Sequence, residues 1–462
     1  MVNFIVIILA SLGYIIFILK TRKSNNFTGY SVAGRSIGFM LLFASMTANY
    51  IGPGMTLGLT SNGFSSGYFY LFIAGFYGLG KIFEAIIFAP KIRKKFTNAF
   101  TLGDIIGGKE SHNSKIVQII AGLISFGLVV GLCTVMAAKA GDILNTFLGV
   151  PNIIGTSIVT ILVMSYSIFG GIKSSMQTDF LQFCMFMILI PLLLVLAFSK
   201  GGIDYNNFVI TSKALTNKGM MDNNTITIFG LIVTWFFGEM LIPPTISTIL
   251  SSENSKTSQK ALTYSGILMI IWLGMMLTLG IVTKVILPNI LSDDKVLLHL
   301  GETFYPVGLF GLFTVALVGV VMSSQDALIN GASVIFSRDI LHQISPLDDN
   351  KSLQISRIAG VFVGILSIFF AVYIPSVLTA LLFFYSVWVP AMLVSTVFSI
   401  YLEKHYWQSA LSSMLLGTLS AVIWEMNTDK EKLPTIIFGL LISIFSYLLV
   451  HIFFKMKSKN TK

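Results

Sequence analysis

The 462-residue sequence predicts an all-α polytopic membrane protein, about thirteen transmembrane helices built as a five-plus-five inverted repeat with two broken helices. Three observations carry that expectation. Hydrophobic residues make up 55% of the chain and charged residues only 11%, where soluble domains run near a quarter charged. With mean hydropathy at +0.84, no soluble core absorbs so much apolar surface, and lipid has to cover most of it. Apolar windows of about 20 residues, the length that crosses ~30 Å of hydrocarbon, recur about thirteen times. Two of these windows share a Gly/Pro interruption in mid-membrane.

In chain order, window 2–20 has neither a basic n-region nor a small-residue cleavage site, so it reads as a retained span. Window 37–62 carries the first interruption, Ile51-Gly52-Pro53-Gly54. Windows 66–90, 115–146, 152–170 and 175–199 complete a block of five. Window 226–250 carries the second interruption, GEMLIPP from Gly238 to Pro244, and windows 262–288, 303–337, 356–374 and 377–402 complete a second block. Pro53 and Pro243 stand 190 residues apart, and the same offset maps the window near 115 onto the one near 305. The blocks 37–199 and 226–402 are therefore read as repeats, inverted because each has an odd number of spans. Around them lie an N-terminal extra span and cytoplasmic loop (1–36), an extracellular loop (200–225) and two C-terminal spans, 408–426 and 433–455, with a short basic tail (403–462).

Charge sets the expected orientation. With the N-terminus outside, most of the 30 Lys and Arg fall in cytoplasmic segments, including Lys20, Arg22, Lys23, Lys91, Arg93, Lys94, Lys95, Lys455 and Lys462. Lys213, Lys218, Lys430 and a few others fall outside, so the positive-inside rule favours N-out and C-in, in a plasma membrane of bacterial inner-membrane type. The net charge of +10 then reflects topology. It forms no arm or face for nucleic acid. Cys133 and Cys184 sit inside apolar windows, the five histidines show no ligand spacing, and no phosphate-cradling motif or nucleophile constellation is present. Neither an enzyme nor an organic cofactor is implied, and the partners expected are the lipid bilayer and small solutes, with no obligatory protein partner legible.

Paired interruptions at matched positions of inverted halves point to a transporter's central site. Backbone broken in hydrocarbon has to be satisfied by protein, water or ligand; the competing reading is a pair of ordinary kinks. A channel would want a continuous polar path, whereas the deep polar residues here gather at the two breaks.

Three segments sharpen the expectation: YSVAGRSIG (Tyr30 to Gly38), SIFGGIKSSMQTDFLQ (Ser167 to Gln182) and VMSSQDALI (Val321 to Ile329). In content, order and spacing they resemble the sodium/solute symporter family, whose members carry proline, pantothenate, sugars, sialic acid or choline. The resemblance spans roughly 1–455. It implies import of a small organic solute driven by Na+ as coupling ion, through alternating access. It also implies a sodium cage made from the carbonyls of Ala48, Ile51 and Val320 and the hydroxyls of Ser323 and Ser324. Such neutral oxygens suit a small hard cation that must be released again; left to themselves, membrane serines bond back to a carbonyl one turn earlier. Asp179, with Thr178 and Gln182 beside it, resembles a family position near the inner vestibule and is assigned to the ion's exit path. A helix-cap role for Asp179 near Lys173 or Arg338 stays open.

The solute is expected between the two breaks, against Gly52, Pro53 and Gly54 and an aromatic wall of Tyr50, Trp235, Phe236, Phe237, Tyr385 and Trp388. Glu239, inside the second break, either holds an ammonium group, works with a proton, or pairs with a lysine. It leans the solute toward an amino acid or another amine-bearing zwitterion. Thr248 stands where the family often places an arginine, which weakens any transfer of substrate identity. Lys81 with Glu84 and Lys139 with Asp142 have ion-pair spacing. Proton coupling through Glu239 on the same fold is the rival mechanism.

Overall fold

Hydrocarbon leaves the backbone no water to bond, so each crossing has to satisfy its own N–H and C=O groups, and here it does so as helix. The computed structural model describes residues 2–20, 24–109, 111–290, 295–373, 377–426 and 432–460. Arg22, Lys23, Lys430 and Lys462 from the charge asymmetry lie outside them. Helix α1 (Val2–Lys20) precedes the short α2 (Phe27–Val32). The first interrupted crossing is α3 (Phe39–Tyr50), a π-helical turn at Gly54–Gly58 and α4 (Leu59–Ser66). Next come α5 (Phe69–Ile87), α6 (Ala89–Lys95), α7 (Leu102–Gly107), α8 (Lys115–Leu148) and α9 (Asn152–Lys200), and α10 (Tyr205–Met221) joins the two halves. The second interrupted crossing is α11 (Thr225–Phe237) with α12 (Pro243–Ser251), followed by α13 (Ser255–Ile286) and α14 (Val296–Phe304). Helix α15 (Leu309–Ile335) runs through a π-helical turn into α16 (His342–Ile344); α17 (Asp349–Ala371) follows. Helices α18 (Val377–Trp388) and α19 (Val394–Tyr401) flank a π-helical turn that contains Pro390, and α20 (Trp407–Glu425) and α21 (Thr435–Asn460) end the chain.

Eight described helical stretches are long and apolar enough to cross a membrane. The two interrupted crossings are built from shorter halves. Helices α6, α7, α10 and α14 escaped the hydropathy reading because each is too short or too polar to make an apolar window.

A straight α9 of 49 residues would run about 74 Å, more than twice the hydrocarbon thickness. It turns instead at Gly171, with φ 66° and ψ −163°, which splits it into the two crossings the sequence predicts. Only glycine adopts that backbone without strain, and an added Cβ would stand 2.6 Å from the carbonyl oxygen of Tyr30. Gly171→Ala is expected to destabilise the fold by at least about 1–2 kcal/mol from the left-handed backbone alone, read as a lower thermal midpoint than wild type. An unchanged midpoint would contradict the need for glycine there.

The packing groups do not coincide with the repeats. Helix α13 lies against α3, α4 and α5, and α11 against α5, so the first two crossings of both halves form one bundle. Helices α8, α9, α15 and α17 pack on one another as a second group. The groups meet where α3 touches α9 and α15, and where Trp272 of α13 meets Phe186 of α9, ring centroids 5.6 Å apart. Helix α1 rests on α15 and α9, while α20 and α21 pack together beside the turn at Pro390. Exposed Ile188, Val195, Phe369 and Phe445 would be an aggregation liability in water; on the outside of a membrane bundle they face hydrocarbon.

Candidate ion and solute site

Proline fixes which groups the breaks set free. In a continuous helix the carbonyl of Asn49 would take the N–H of residue 53, but Pro53 has none. Helix α3 stops at Tyr50, Ile51 leaves helical geometry with ψ 56°, and its N–H closes on Thr47 O at 2.9 Å. The loosened carbonyls turn to α15. Ser323 Oγ lies 3.1 Å from Ala48 O and 3.1 Å from its own helix's Val320 O, and Ser324 Oγ lies 3.1 Å from Asn49 O. Two carbonyls and a hydroxyl from two helices thus converge at Ser323. Ser324, one position on, meets the orphaned Asn49 carbonyl, and a Cβ at Gly52 would stand a tight 3.0 Å from its hydroxyl.

The second break follows the same rule. Pro243 and Pro244 deny N–H partners to the carbonyls of Glu239 and Met240. Lys81 Nζ donates to Glu239 O at 2.7 Å, and Trp388 Nε1 approaches Met240 O at 3.5 Å. Leu241, strained at φ 58°, gives its N–H to Glu84 Oε1 at 2.9 Å. Lys81 and Glu84 pair at 3.2 Å and are 2% and 0% exposed, so this pair on α5 is the polar plug of the break as well as an ion pair. Lys139 and Asp142 also pair, at 3.6 Å, in the C-terminal part of α8.

Between the breaks lies a cavity of about 60 Å³. Tyr50, Gly52, Gly54, Trp235, Glu239, Tyr385 and Ser324 line it, joined by Asn49, Tyr77, Met136 and Leu381, which sequence reasoning missed. Pro53, Phe236, Phe237 and Trp388 do not. Phe236 packs on Phe83 at 5.6 Å and Phe237 on Phe236 at 4.7 Å, away from the cavity, while Trp388 is buried behind it. Tyr77 was within reach, since it lies four residues before Lys81 on one helix face. The hydroxyls of Tyr77 and Tyr385 donate to the two carboxylate oxygens of Glu239. The lysine near Glu239 therefore holds its backbone and tyrosines hold its side chain. Lys81 Nζ also lies 4.2 Å from the centre of the Tyr50 ring, whose hydroxyl meets Thr245 at 3.1 Å, so Tyr50 ties the two breaks together.

A smaller cavity continues from Asn49, Pro244 and Ala327 past Asp179, Thr248 and Asn330. Asp179 Oδ2 accepts from Ser45 Oγ at 2.5 Å and Asn49 Nδ2 at 3.4 Å, and no hydrogen bond or ion pair joins it to Lys173 or Arg338. Behind it Thr178 reaches Asp326 at 3.4 Å, Tyr166 donates to Asp326 at 2.8 Å, and Gln182 Nε2 meets the Tyr14 hydroxyl at 2.6 Å. One oxygen each of Asp179, Asp326, Asn330 and Gln182 is buried with no described partner. Such a concentration of spare acceptors suits a cation passing through.

Residues 30–417 match the family model of the Sodium:solute symporter family. The chain belongs to that family. The sodium/pantothenate symporter of Escherichia coli (strain K12) is 25% identical over 464 residues, covering 94% of this chain and 92% of the relative. Sodium/proline symporter 2 of Staphylococcus saprophyticus is 24% identical over 421 residues, covering 87% and 81%. Among solved structures, a Na+-coupled sialic acid symporter shares the fold with a TM-score of 0.82 at 16% identity, covering 97% of this chain and 96% of that one. As a member of the sodium:solute symporter family, the protein is a multi-pass membrane transporter and not an enzyme, and it couples sodium to the import of a solute.

Proposed function

We propose that this symporter imports a small amine-bearing zwitterion, such as an amino acid, with Na+ held by the carbonyls of Ala48, Ile51 and Val320 and the hydroxyls of Ser323 and Ser324. The observation that carries the ion site is Ser323 Oγ at 3.1 Å from both Ala48 O and Val320 O. An ion there would tie α3 of the bundle to α15 of the second group, and would bias whichever conformation brings those helices together, by no more than its differential affinity for the two states. Asp179, with Thr178 and Gln182 behind it, lines the route by which the ion leaves inward. The repeats 37–199 and 226–402 supply the two broken helices, and the chain sits N-out and C-in. Membrane potential supplies roughly 2.3 kcal/mol per charge per 100 mV, enough for about a fifty-fold accumulation.

The solute's ammonium group sits against Glu239 and its carboxylate against the indole N–H of Trp235, which lines the cavity and has no described partner. Asn49 Oδ1, equally unpartnered, accepts a further donor. Glu239→Gln is expected to weaken amine-bearing solutes by about 1.5–3 kcal/mol, or ten- to a hundred-fold in affinity, because an amide oxygen carries no charge and only one acceptor serves Tyr77 and Tyr385.

The test is a thermal-shift panel of amino acids, quaternary amines, vitamin carboxylates and sugars, in sodium and in potassium, on wild type and Glu239→Gln. A solute at a hundred times its dissociation constant adds ~2.7 kcal/mol to the folded state. Stabilisation by an amine-bearing solute only in sodium, lost in Glu239→Gln, supports the reading. Equal stabilisation in potassium would remove the sodium cage and make proton coupling through Glu239 the account.

A further inference from the structure

Where α7 meets the start of α8, a cavity of about 420 Å³ opens that shares no lining residue with the two cavities above. Its wall is basic. Lys109 comes from the loop that leads into α8 and Lys115 from its first residue, while Arg338 comes from the π-helical turn after α15 and His342 from α16. The one carboxylate among its described lining residues is Asp104, 7% exposed and already engaged. Arg338 Nε lies 3.1 Å from both Asp104 oxygens, and Gln118 Nε2 lies 2.8 Å from Oδ1. The guanidinium also rests over the ring of Phe100, 5.2 Å from its centre. Held through Nε and one face, Arg338 keeps its two Nη groups free of any hydrogen bond to a described residue. A guanidinium fixed in this way is a preorganised fork for a tetrahedral oxyanion.

Lys109 and Lys115 are exposed and pair with no described carboxylate. Beyond the Arg338–Asp104 pair the two lysines add two permanent positive charges at one opening, and an anion bound between them offsets their repulsion. Next to the lining residues Lys115 and His342, Ile116 and Ile344 are 55% and 67% exposed. Apolar side chains beside a basic pocket at a helix end are the setting in which a phospholipid headgroup binds with its acyl chains alongside.

We propose that this cavity binds a phosphate-bearing anion, which bridges Lys109 and Lys115 at the start of α8 to Arg338 in the turn that follows α15. The ion and solute sites play no part in it, so it stands apart from the transport reading.

The experiment titrates the purified full-length protein in neutral detergent and measures bound ligand. One arm uses dioleoylphosphatidylglycerol, with dioleoylphosphatidylcholine as neutral counterpart; the other uses inorganic pyrophosphate. Saturable binding of at least one anion is expected, with Kd raised about thirty-fold in Lys109→Gln/Lys115→Gln, kept in Lys109→Arg/Lys115→Arg, and unchanged in Lys213→Gln/Lys218→Gln on α10. Response to the lipid alone identifies a headgroup, and response to pyrophosphate alone a soluble phosphate. Both lysines are exposed and pair with no described carboxylate, so the variants are expected to fold, which an unchanged thermal midpoint checks. Binding of neither anion by wild type, or equal Kd in the glutamine variant, would overturn the proposal.

Discussion

Ser323→Ala is expected to shift sodium-driven uptake to much higher sodium concentration while leaving the protein folded. The serine hydroxyl sits between two carbonyls that the helix break and its own helix turn leave available, Ala48 O and Val320 O, at 3.1 Å each. Removing it takes one of the five proposed oxygens from the ion. A hydrogen-bonding group facing a charge is worth about 1.5–3 kcal/mol, so sodium affinity should fall about ten- to a hundred-fold. The control is Ser323→Thr, which keeps the oxygen and should keep sodium dependence. Uptake assayed across a sodium series decides it: an alanine variant with wild-type sodium dependence removes Ser323 from the ion site. Thermal stability in potassium separates this from misfolding, since the hydroxyl's own bonds are worth only about 0.5–1.5 kcal/mol each.

Lys81→Met is expected to give the largest loss of stability in the molecule. The lysine ammonium and the Glu84 carboxylate are 2% and 0% exposed, so removing one leaves the other as a buried, uncompensated charge. Such losses run about 3–5 kcal/mol. Here the lysine also carries the carbonyl of Glu239, and Glu84 carries the N–H of Leu241, so the second break loses a plug with either residue. Glu84→Gln should be milder, because an amide still accepts from Leu241. In a double-mutant cycle, Lys81→Met/Glu84→Gln should be more stable than the sum of the single losses, the charge penalty having been removed once. A thermal midpoint for Lys81→Met within the error of wild type would mean that the pair neither holds the break nor compensates buried charge.

The fold was legible because hydrocarbon simplifies the reading. Apolar windows had to be helices, and the spans drawn at 115–146 and 408–426 match α8 (Lys115–Leu148) and α20 (Trp407–Glu425) closely. The short helices were not legible, since α7 and α10 lie where periodicity and hydropathy give no window. At the site, Glu239 stood out because an acid in mid-membrane is costly and therefore informative, whereas Ser323 was singled out only by the resemblance of VMSSQDALI to the family. The aromatic run Trp235-Phe236-Phe237 could be read only in part. Successive helical residues point about 100° apart, so the three cannot share one cavity, and only Trp235 reaches it. Asn49 was passed over because a lone amide carries no such signal until the helices around it are placed, and Tyr77 because its spacing to Lys81 was not followed up along the helix.

The sequence by itself determined which backbone groups the breaks release. Pro53, Pro243 and Pro244 lack an N–H, so the carbonyls four residues earlier, Asn49, Glu239 and Met240, lose their helical partners wherever the chain folds. Tertiary structure alone decided what meets them. Ser324 reaches Asn49 across 275 residues, Lys81 reaches Glu239 across 158 and Trp388 reaches Met240 across 148. A missing donor is a local covalent fact. Its replacement depends on how α5, α15 and α18 approach the breaks, and that approach is set by side-chain packing over whole helices.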